Sequence, residues 1–555
     1  MNDGTADAAS FATHEVLNQP PPLVDYDLFS SDRALQEAAR REGADWALAR
    51  LAGFGQALGR AETIEWGFQA NRNTPVLQSF DRYGQRRDAV EFHPAWHSLM
   101  ALAVGEGVHT GPWAEPRPGA HVARAAQVYM QCQIEAGVQC PITMTYGVVP
   151  ALRRQADIAA EWLPRLFTRR YDPRFRPAAE KTGALMGMGM TEKQGGSDLR
   201  SNSTRAEPIE GGGPGKPYRL TGHKWFMSAP MCDAFLVLAQ APKGISCFFL
   251  PRFTPDGQLN ALRLQRLKDK LGNRSNASSE VEFQGALAFL VGEEGRGIPI
   301  IIEMATYTRL DCAVAGAGLM RQALAQAVHH ARHRTAFQRH LVDQPLMANV
   351  LADLALEVEA ATALGLRMAR AFDRQDDAGE TAFRRLVTPA AKYWVCKRSI
   401  AFAGEAMEVL GGNGYVEESL MPRLYREMPV NSIWEGSGNV MCLDVLRALM
   451  RTPEAGEALR AELGAAKGGD PRLDGFVAEL EAALAKRPEE AQARRLAERM
   501  VLALQGSLLV RFAPPAVADG FCASRLEGER SGAFGGLPAG LDLHAIVDRA
   551  APAAG

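Results

Sequence analysis

The sequence predicts an α+β fold in which a helical N-terminal domain, a central β-barrel or sandwich and a C-terminal four-helix bundle follow one another. Residues 31–183 repeat apolar side chains at helical spacing, whereas residues 186–291 form short alternating segments rich in β-branched and aromatic residues. Long amphipathic runs then return, and successive helices of this kind pack as a bundle. The predicted divisions are an N-terminal arm with the α domain (1–185), the β domain (186–300), the bundle (301–450) and an added helical domain (451–555).

The N-terminal arm is expected to lie on another surface, because Pro20, Pro21 and Pro22 prevent a helix at its end. Asp32 is a predicted N-cap of a helix that continues to Leu51. Periodicity predicts the remaining elements. Helices are expected at 123–135, 151–163, 301–332, 344–372, 383–410, 441–449 and 489–510, and strands at 218–220, 234–238, 246–250 and 280–283.

Composition narrows the possible functions. The chain has 555 residues, a net charge of -2 and 46% hydrophobic residues, so it has no overall attraction to nucleic acid or membranes. Its eight cysteines are dispersed without a Cys-x-x-Cys pair, which predicts reduced thiols rather than disulfides. Neither a signal pattern nor an apolar run of about 18 residues is present. We therefore expect a cytoplasmic protein with no membrane span and no metal site.

The most informative stretch is a glycine-containing polar loop followed by a strand with two adjacent aromatic residues. Residues 190–198 read MTEKQGGSD, and residues 221–230 read TGHKWFMSAP. The glycine pair beside Ser197 lets backbone N–H groups approach an anion, and Trp225 and Phe226 offer a flat ring surface. This pattern is typical of a site for a flat ring with a phosphate tail. An ordinary hairpin with a core aromatic residue is the alternative.

Five motifs, in this order and spacing, resemble those of the acyl-CoA dehydrogenase family. They are Thr191-Glu192 with Gly196-Ser197-Asp198; Gly222-x-Lys224 with Phe226 and Ser228; Arg334-x-x-Phe337; Gly411-Gly412-Asn413-Gly414-Tyr415; and Trp434-Glu435-Gly436. One motif alone is weak evidence, whereas five in order are specific. Residues 13–29, residues 431–439 and the added C-terminal domain resemble the AidB branch, adaptive-response flavoproteins linked to DNA alkylation damage. The resemblance implies the acyl-CoA dehydrogenase fold.

The resemblance also implies FAD as the cofactor. The residues implied in binding its ring and phosphates are Met188, Met190, Thr191, Gly196, Ser197, Phe226, Met227, Ser228, Gly411, Gly412, Trp434, Gly436 and Asn439. Arg334 and Phe337 match a clamp that reaches the FAD pyrophosphate of a neighbouring subunit, which implies a homotetramer. For Arg334 the alternative is a solvated basic helix end.

Glu435 matches the carboxylate that removes the α-proton of an acyl thioester while hydride leaves the β-carbon for the flavin. Trp434 and the flavin would exclude water there, and desolvation raises the pKa of a carboxylate toward the range of a general base. The alternative is that Glu435 caps the helix that begins near Gly438, where an acidic side chain is favoured by the helix dipole.

Four positions depart from the family's usual residues. Gln338 replaces a common glycine, Pro345 and Glu408 replace glutamines that contact the cofactor, and Trp434 is bulkier than the usual tyrosine. We therefore expect altered FAD contacts between subunits and a narrowed acyl pocket, with weak turnover of a small acyl thioester such as isovaleryl-CoA.

Three functions compete at this point. The first is a flavoenzyme acting on a small acyl thioester, including an ordinary acyl-CoA dehydrogenase without a DNA function. The second is a flavoprotein that binds double-stranded DNA without sequence preference and responds to alkylation damage; the resemblance to the AidB branch implies that Arg447 and Arg525 face the duplex. The third is an inactive scaffold. Residues 451–555 carry 13 basic and 15 acidic side chains, so composition does not favour DNA. Flavin reduction and salt-dependent duplex binding discriminate among the three.

Overall fold

The computed structural model describes residues 13–486, 489–528 and 531–552, and its elements confirm the predicted α+β fold class. The N-terminal part contains α1 (Arg33–Ala39), α2 (Leu48–Gly59), α3 (Ala61–Arg72), β1 (Val76–Phe80), β2 (Arg86–Glu91), α4 (Pro94–Gly105), α5 (Gly111–Ala114), α6 (Ala120–Ile134), α7 (Gln139–Leu152) and α8 (Ala156–Leu166).

Two helices predicted in the N-terminal part are each interrupted in the structure. Asp32 does cap α1, because its side chain accepts a hydrogen bond from the Leu35 N–H at 3.0 Å. The helix does not continue to Leu51, since Gly43 adopts a φ of 105° and interrupts the hydrogen-bond ladder before α2. The helix predicted at 151–163 is likewise divided between α7 and α8.

An antiparallel hairpin, β1 with β2, corrects the expectation that the N-terminal part is wholly helical. Its strands mix apolar and polar residues without strict alternation, and only Asp88 and Ala89 are buried, so no period-two pattern marks them in the sequence. The hairpin is held by the β domain. The Asp88 side chain accepts a hydrogen bond from the Leu264 N–H at 3.1 Å, and Arg86 Nη2 donates to the Leu264 carbonyl at 2.8 Å.

The central part is a β-barrel. Its strands are β3 (Met186–Thr191), β4 (Arg205–Pro208), β5 (Pro217–Ser228), β6 (Ala234–Ala241), β7 (Gly244–Pro251), β8 (Leu262–Leu267) and β9 (Ser278–Val291). The ring closes because β3 pairs with both β5 and β6, while β9 pairs with both β5 and β7, and β6 pairs with β7. Closure leaves β4 and β8 as additional strands on the ring.

The bundle is organised around α9, a helix of 37 residues that packs against α6, α7, α10 and α11. Its elements are α9 (Gly297–His333), β10 (Thr335–Ala336), β11 (Arg339–His340), α10 (Pro345–Asp373), α11 (Ala378–Val409), α12 (Gly412–Tyr415), α13 (Met421–Asn431) and α14 (Gly438–Arg451). The predicted bundle helices are therefore present, with small shifts at their ends.

The C-terminal helices pack onto the bundle. They are α15 (Pro453–Gly464), α16 (Pro471–Ala485), α17 (Ala493–Phe512), α18 (Pro515–Phe521) and α19 (Leu543–Ala550). The helix α17 contacts α10 and α11, and Arg549 of α19 forms an ion pair with Glu359 of α10 at 2.8 Å. All eight cysteines are buried free thiols, as expected. Among the described residues, no helix is long and apolar enough to span a bilayer.

Candidate active site

A cavity of about 470 Å³ lies where the barrel meets the helices. Its walls come from α6, α7, β3, β5, α9 and the turn that precedes α14. The structure brings together many of the predicted site residues in this one cavity. Those that line it are Met188, Met190, Thr191, Gly196, Ser197, Phe226, Ser228, Trp434, Glu435 and Gly436.

The glycine-containing loop is anchored beside the cavity by a buried ion pair that sequence reasoning missed. Lys224 Nζ lies 2.8 Å from Glu192 Oε1, and both side chains are fully buried. The Ser203 N–H donates to Glu192 Oε2 at 2.6 Å. Burial by itself would raise the pKa of the Glu192 carboxyl, but the Lys224 ammonium and the hydrogen bonds outweigh it, so the pKa lies below its usual value. Glu192 and Lys224 both belong to the motifs quoted in the sequence analysis, so their opposite charges could have indicated this ion pair.

Gly196 is required by the fold of the same loop. A Cβ atom added at this position would lie 2.3 Å from the Thr191 hydroxyl oxygen, so a larger residue would displace the loop from Thr191. The glycine thus lets the loop turn back over the end of β3, next to the cavity.

Successive residues of β5 face opposite sides of the strand, so the predicted ring contacts divide between the cavity and the core. Phe226 and Ser228 line the cavity, and Phe226 is 49% exposed. Met227 points to the opposite face and is fully buried in the core, so its side chain does not line the cavity, and its assignment to the cofactor stays a prediction. Trp225 does not line the cavity either, and Lys268 Nζ lies 3.3 Å from the centre of its ring.

Glu435 lies in a tight turn with a φ of 58°. Thr308 of α9 donates its hydroxyl hydrogen to Glu435 Oε2 at 2.5 Å. Lys392 of α11 also holds the turn, because its ammonium donates hydrogen bonds to the carbonyls of Trp434 at 2.8 Å and Gly436 at 2.5 Å. Thr308 and Lys392 come from distant helices, and no local motif marks them in the sequence.

The environment of Glu435 favours proton acceptance over helix capping. The N-cap of α14 is Ser437, and the described hydrogen bond of the Glu435 carboxylate goes to Thr308 instead. Burial raises the pKa of the Glu435 carboxyl, whereas the Thr308 hydrogen bond and the charges of Arg309 and Lys392 oppose this rise. A carboxylate with a raised pKa is better suited to accept a proton near neutral pH.

One part of the cavity wall is polar. Asp311 lies one turn beyond Thr308 on α9, and Arg124 of α6 binds its two carboxylate oxygens at 2.7 Å each. Thr143 of α7 donates to Asp311 Oδ2 at 2.5 Å. The nearby Cys312 thiol stays protonated, because burial raises its pKa well above the usual value. Since the network joins three helices, only the spacing of Thr308 and Asp311 could have been read from the sequence.

The remaining predicted cofactor residues lie outside this cavity of a single chain. Arg334 precedes the β10–β11 hairpin, and Phe337 lies at its tip with 94% of its surface exposed. The glycine turn, residues 411–413 at the end of α11 and the start of α12, is also exposed. The Asn439 side chain accepts a hydrogen bond from Arg494 at 2.8 Å. Besides Met227, the predicted cofactor residues that the cavity does not include are Arg334, Phe337, Gly411, Gly412 and Asn439.

The two predicted DNA contacts differ in exposure. The Arg447 side chain is 51% exposed. Arg525 is only 12% exposed, because its guanidinium forms ion pairs with the buried carboxylates of Asp353 and Glu357. This position does not fit the predicted contact of Arg525 with a duplex, and the prediction is corrected accordingly.

Comparison with known proteins defines the class. The chain matches the AidB N-terminal domain over residues 18–173, the middle domain of acyl-CoA dehydrogenases over 187–286 and their C-terminal domain over 295–450. The chain belongs to the acyl-CoA dehydrogenase family. Within it, the chain is 51% identical over 517 residues to the putative acyl-CoA dehydrogenase AidB of Escherichia coli K12, covering 93% of this chain and 95% of that protein.

Two solved structures are similar over nearly their whole length. Caenorhabditis elegans ACDH-11 in complex with C11-CoA has a TM-score of 0.84 at 27% identity, with 98% of each chain covered. The apo-form of Bd2924 has a TM-score of 0.81 at 30% identity, with 89% of this chain and 99% of that chain covered. These comparisons confirm the arrangement of helical, β and helical parts.

FAD is the cofactor of this family, and the cavity fits it. Phe226 and Trp434 provide flat apolar walls, while Thr191, Ser197 and Ser228 provide hydroxyl groups on the same cavity. The closed turn of the loop at Gly196 leaves its backbone beside the cavity without a side chain in the way. The chain is thus a flavin-dependent oxidoreductase of the acyl-CoA dehydrogenase type.

Proposed function

We propose that this protein dehydrogenates a small acyl thioester and that Glu435 is the base that removes the α-proton. The observation that carries the proposal is the position of the Glu435 carboxylate in the cavity wall, with Oε2 hydrogen-bonded to Thr308 at 2.5 Å. When bound, FAD supplies the acceptor for the hydride. The chain's own part is to orient the thioester, exclude water with Trp434 and accept one proton on the Glu435 carboxylate.

The shape and polarity of the cavity support a small acyl group such as isovaleryl. Trp434 is fixed over the site by a hydrogen bond from its Nε1 to Asn431 at 2.9 Å. Asp311, which is held in a buried ion pair with Arg124, also lines the cavity. A long apolar chain would have to pass the fixed Trp434 ring and pack against the polar side chains of Asp311 and Thr143, which is less favourable than packing against apolar groups.

The direct test is the Glu435→Gln variant. The amide is nearly isosteric but cannot take up the proton, so FAD should remain bound while flavin reduction by isovaleryl-CoA slows by roughly 10²- to 10⁴-fold. Stopped-flow absorbance measures the rate. The exposed Glu457→Gln is the matched control and should behave as wild type. A rate in Glu435→Gln equal to that of wild type would show that Glu435 is not the base.

We also propose a homotetramer in which the Arg334 clamp reaches a neighbouring FAD. Large apolar side chains are exposed around the clamp on the single chain, namely Phe337 at 94%, Leu346 at 85% and Tyr415 at 79%. Burial of such side chains in an interface is favourable. Light scattering after gel filtration tests the assembly, and a monomer that retains FAD would contradict it.

A second proposed function, in the cytoplasm, is binding of double-stranded DNA without sequence preference as part of a response to alkylation damage. Its support is a pair of exposed arginines beside Asp444, since the side chains of Arg385 and Arg447 are 40% and 51% exposed. The eight free thiols fit a reducing compartment.

Because few cations are available at this surface, the DNA affinity should depend only weakly on salt, with a slope of roughly two to four phosphates. Fluorescence anisotropy on two unrelated duplexes tests this, and no binding at about 50 mM salt would reject it.

A further inference from the structure

The N-terminal arm lies across the segment that precedes and forms the clamp hairpin. Asn18 makes a reciprocal pair of hydrogen bonds with the backbone of Thr335, in which its Nδ2 donates to the carbonyl at 2.7 Å and its Oδ1 accepts from the N–H at 2.7 Å. Arg334 Nη1 donates to the Asn18 carbonyl at 2.5 Å. One arm residue thus contacts both the clamp arginine and its neighbour.

The arm also contacts the elements on either side of the clamp. Gln19 accepts a hydrogen bond from Asn413, in the glycine turn, at 3.0 Å. The Pro21 carbonyl lies 2.7 Å from a ring nitrogen of His329, near the end of α9. Two segments that the family resemblance assigns to the cofactor, the clamp and the glycine turn, are therefore joined by consecutive arm residues.

The clamp hairpin needs such support. Its strands are only two residues long, and an isolated hairpin is marginally stable at best. Phe337 and Gln338 at its tip have positive φ values of 50° and 63°. Asn18 itself has a φ of 57°, a conformation that asparagine tolerates better than most residues. The contact between Asn18 and Thr335 fixes the first strand where the hairpin leaves α9.

We propose that Asn18 is a positioning residue for FAD binding: it orients the Arg334 guanidinium and the clamp hairpin before the cofactor arrives. The inference rests on the proposed clamp role of Arg334. A guanidinium has five N–H donors, so the bond to the Asn18 carbonyl leaves others free for a pyrophosphate. Because an ordered clamp loses less conformational entropy on binding, docking of the arm increases FAD affinity.

The test compares Asn18→Gly with Asn18→Asp in the full-length protein. Glycine keeps the positive φ but loses both side-chain hydrogen bonds, whereas aspartate keeps the acceptor and loses the donor. Flavin-free protein is titrated with FAD, and quenching of flavin fluorescence gives the Kd. We expect a Kd about tenfold higher for Asn18→Gly and an intermediate value for Asn18→Asp. The exposed Glu15→Gln on the same arm should match wild type.

Two further measurements separate the possible failures. The melting temperature of the flavin-free protein should be unchanged in Asn18→Gly, and a fall in it that accounts for the weaker FAD binding would overturn the positioning role. Arg334→Ala should weaken FAD binding strongly. If Arg334→Ala binds FAD normally, the proposed clamp is wrong. If Arg334→Ala is weakened and Asn18→Gly is not, only the role of the arm is rejected.

Discussion

Replacement of Lys224 by methionine should loosen the cofactor loop, because it leaves the Glu192 carboxylate buried without its cation. Both side chains are fully buried, and the ammonium of Lys224 also donates to the Leu238 carbonyl at 2.8 Å. Loss of one partner of a buried ion pair costs about 3–5 kcal/mol. Glu192 keeps its hydrogen bonds from the backbone of Ser203 and Thr204, so we expect a value near the lower end, about 3 kcal/mol.

The pH dependence gives this prediction its sign. In wild type the pKa of Glu192 is lowered by folding, so its contribution to stability is present above the pKa of the unfolded chain and is lost as the pH falls through the folded value. In Lys224→Met, burial without the ammonium should raise this pKa instead. Protonation then relieves the unpaired charge, so the stability deficit should shrink as the pH is lowered from 8 to about 5.

Urea unfolding followed by circular dichroism at both pH values measures the deficit, and flavin absorbance measures retained FAD. The double variant Glu192→Gln/Lys224→Met removes both charges and should recover at least part of the lost stability. The reasoning fails if Lys224→Met unfolds at the wild-type urea concentration at pH 8, or if the double variant is less stable than the single one.

Three further predictions concern the base Glu435 and the two arginines that the sequence analysis assigned to DNA. Thr308→Val removes a hydrogen bond that lowers the pKa of Glu435. Because the base must be unprotonated, the rise of the flavin-reduction rate with pH should move to higher pH. Thr306→Val on the same helix is the control, and an unchanged stopped-flow profile would contradict the argument. Arg447→Ala should weaken duplex binding equally on unrelated sequences and reduce the salt slope by about one phosphate. Arg525→Ala should instead lower the melting temperature, since Asp353 would lose its cation and Glu357 would keep only Arg398. A loss of anisotropy signal without a change in melting would reverse this assignment.

The elements with strong periodicity could be predicted from the sequence, and those fixed by tertiary contacts could not. The long helix α9 was expected at 301–332 and occupies Gly297–His333, because its apolar spacing is continuous. The β1–β2 hairpin was missed, since its polar residues are held by hydrogen bonds to β8. The interruption at Gly43 was missed as well, because a glycine within a helical pattern does not reveal its φ.

The candidate site shows the same division. The motifs predicted which side chains line the cavity on β3, on β5 and in the turn at Glu435, because neighbouring residues in the sequence are neighbours in space there. They did not predict Thr308 or Lys392, which reach the turn from other helices. Strand alternation could have separated Met227 from Phe226. The ion pairs of Arg525 depend on the packing of a distant helix and leave no local signal.

The length of α9 has a consequence for how the molecule can change. Thr308 lies within α9 and Arg334 directly follows its last residue, so the two lie about 39 Å apart along the helix at 1.5 Å per residue. One residue inserted between them would turn the hairpin by about 100° around the helix axis relative to the Glu435 turn. Under the proposed clamp role, the length of α9 sets the distance between two sites. One is the proton acceptor in the same subunit, and the other is the phosphate contact that Arg334 makes in a neighbouring subunit. Under that role, a deletion or insertion in the middle of α9 would have to remain compatible with both sites.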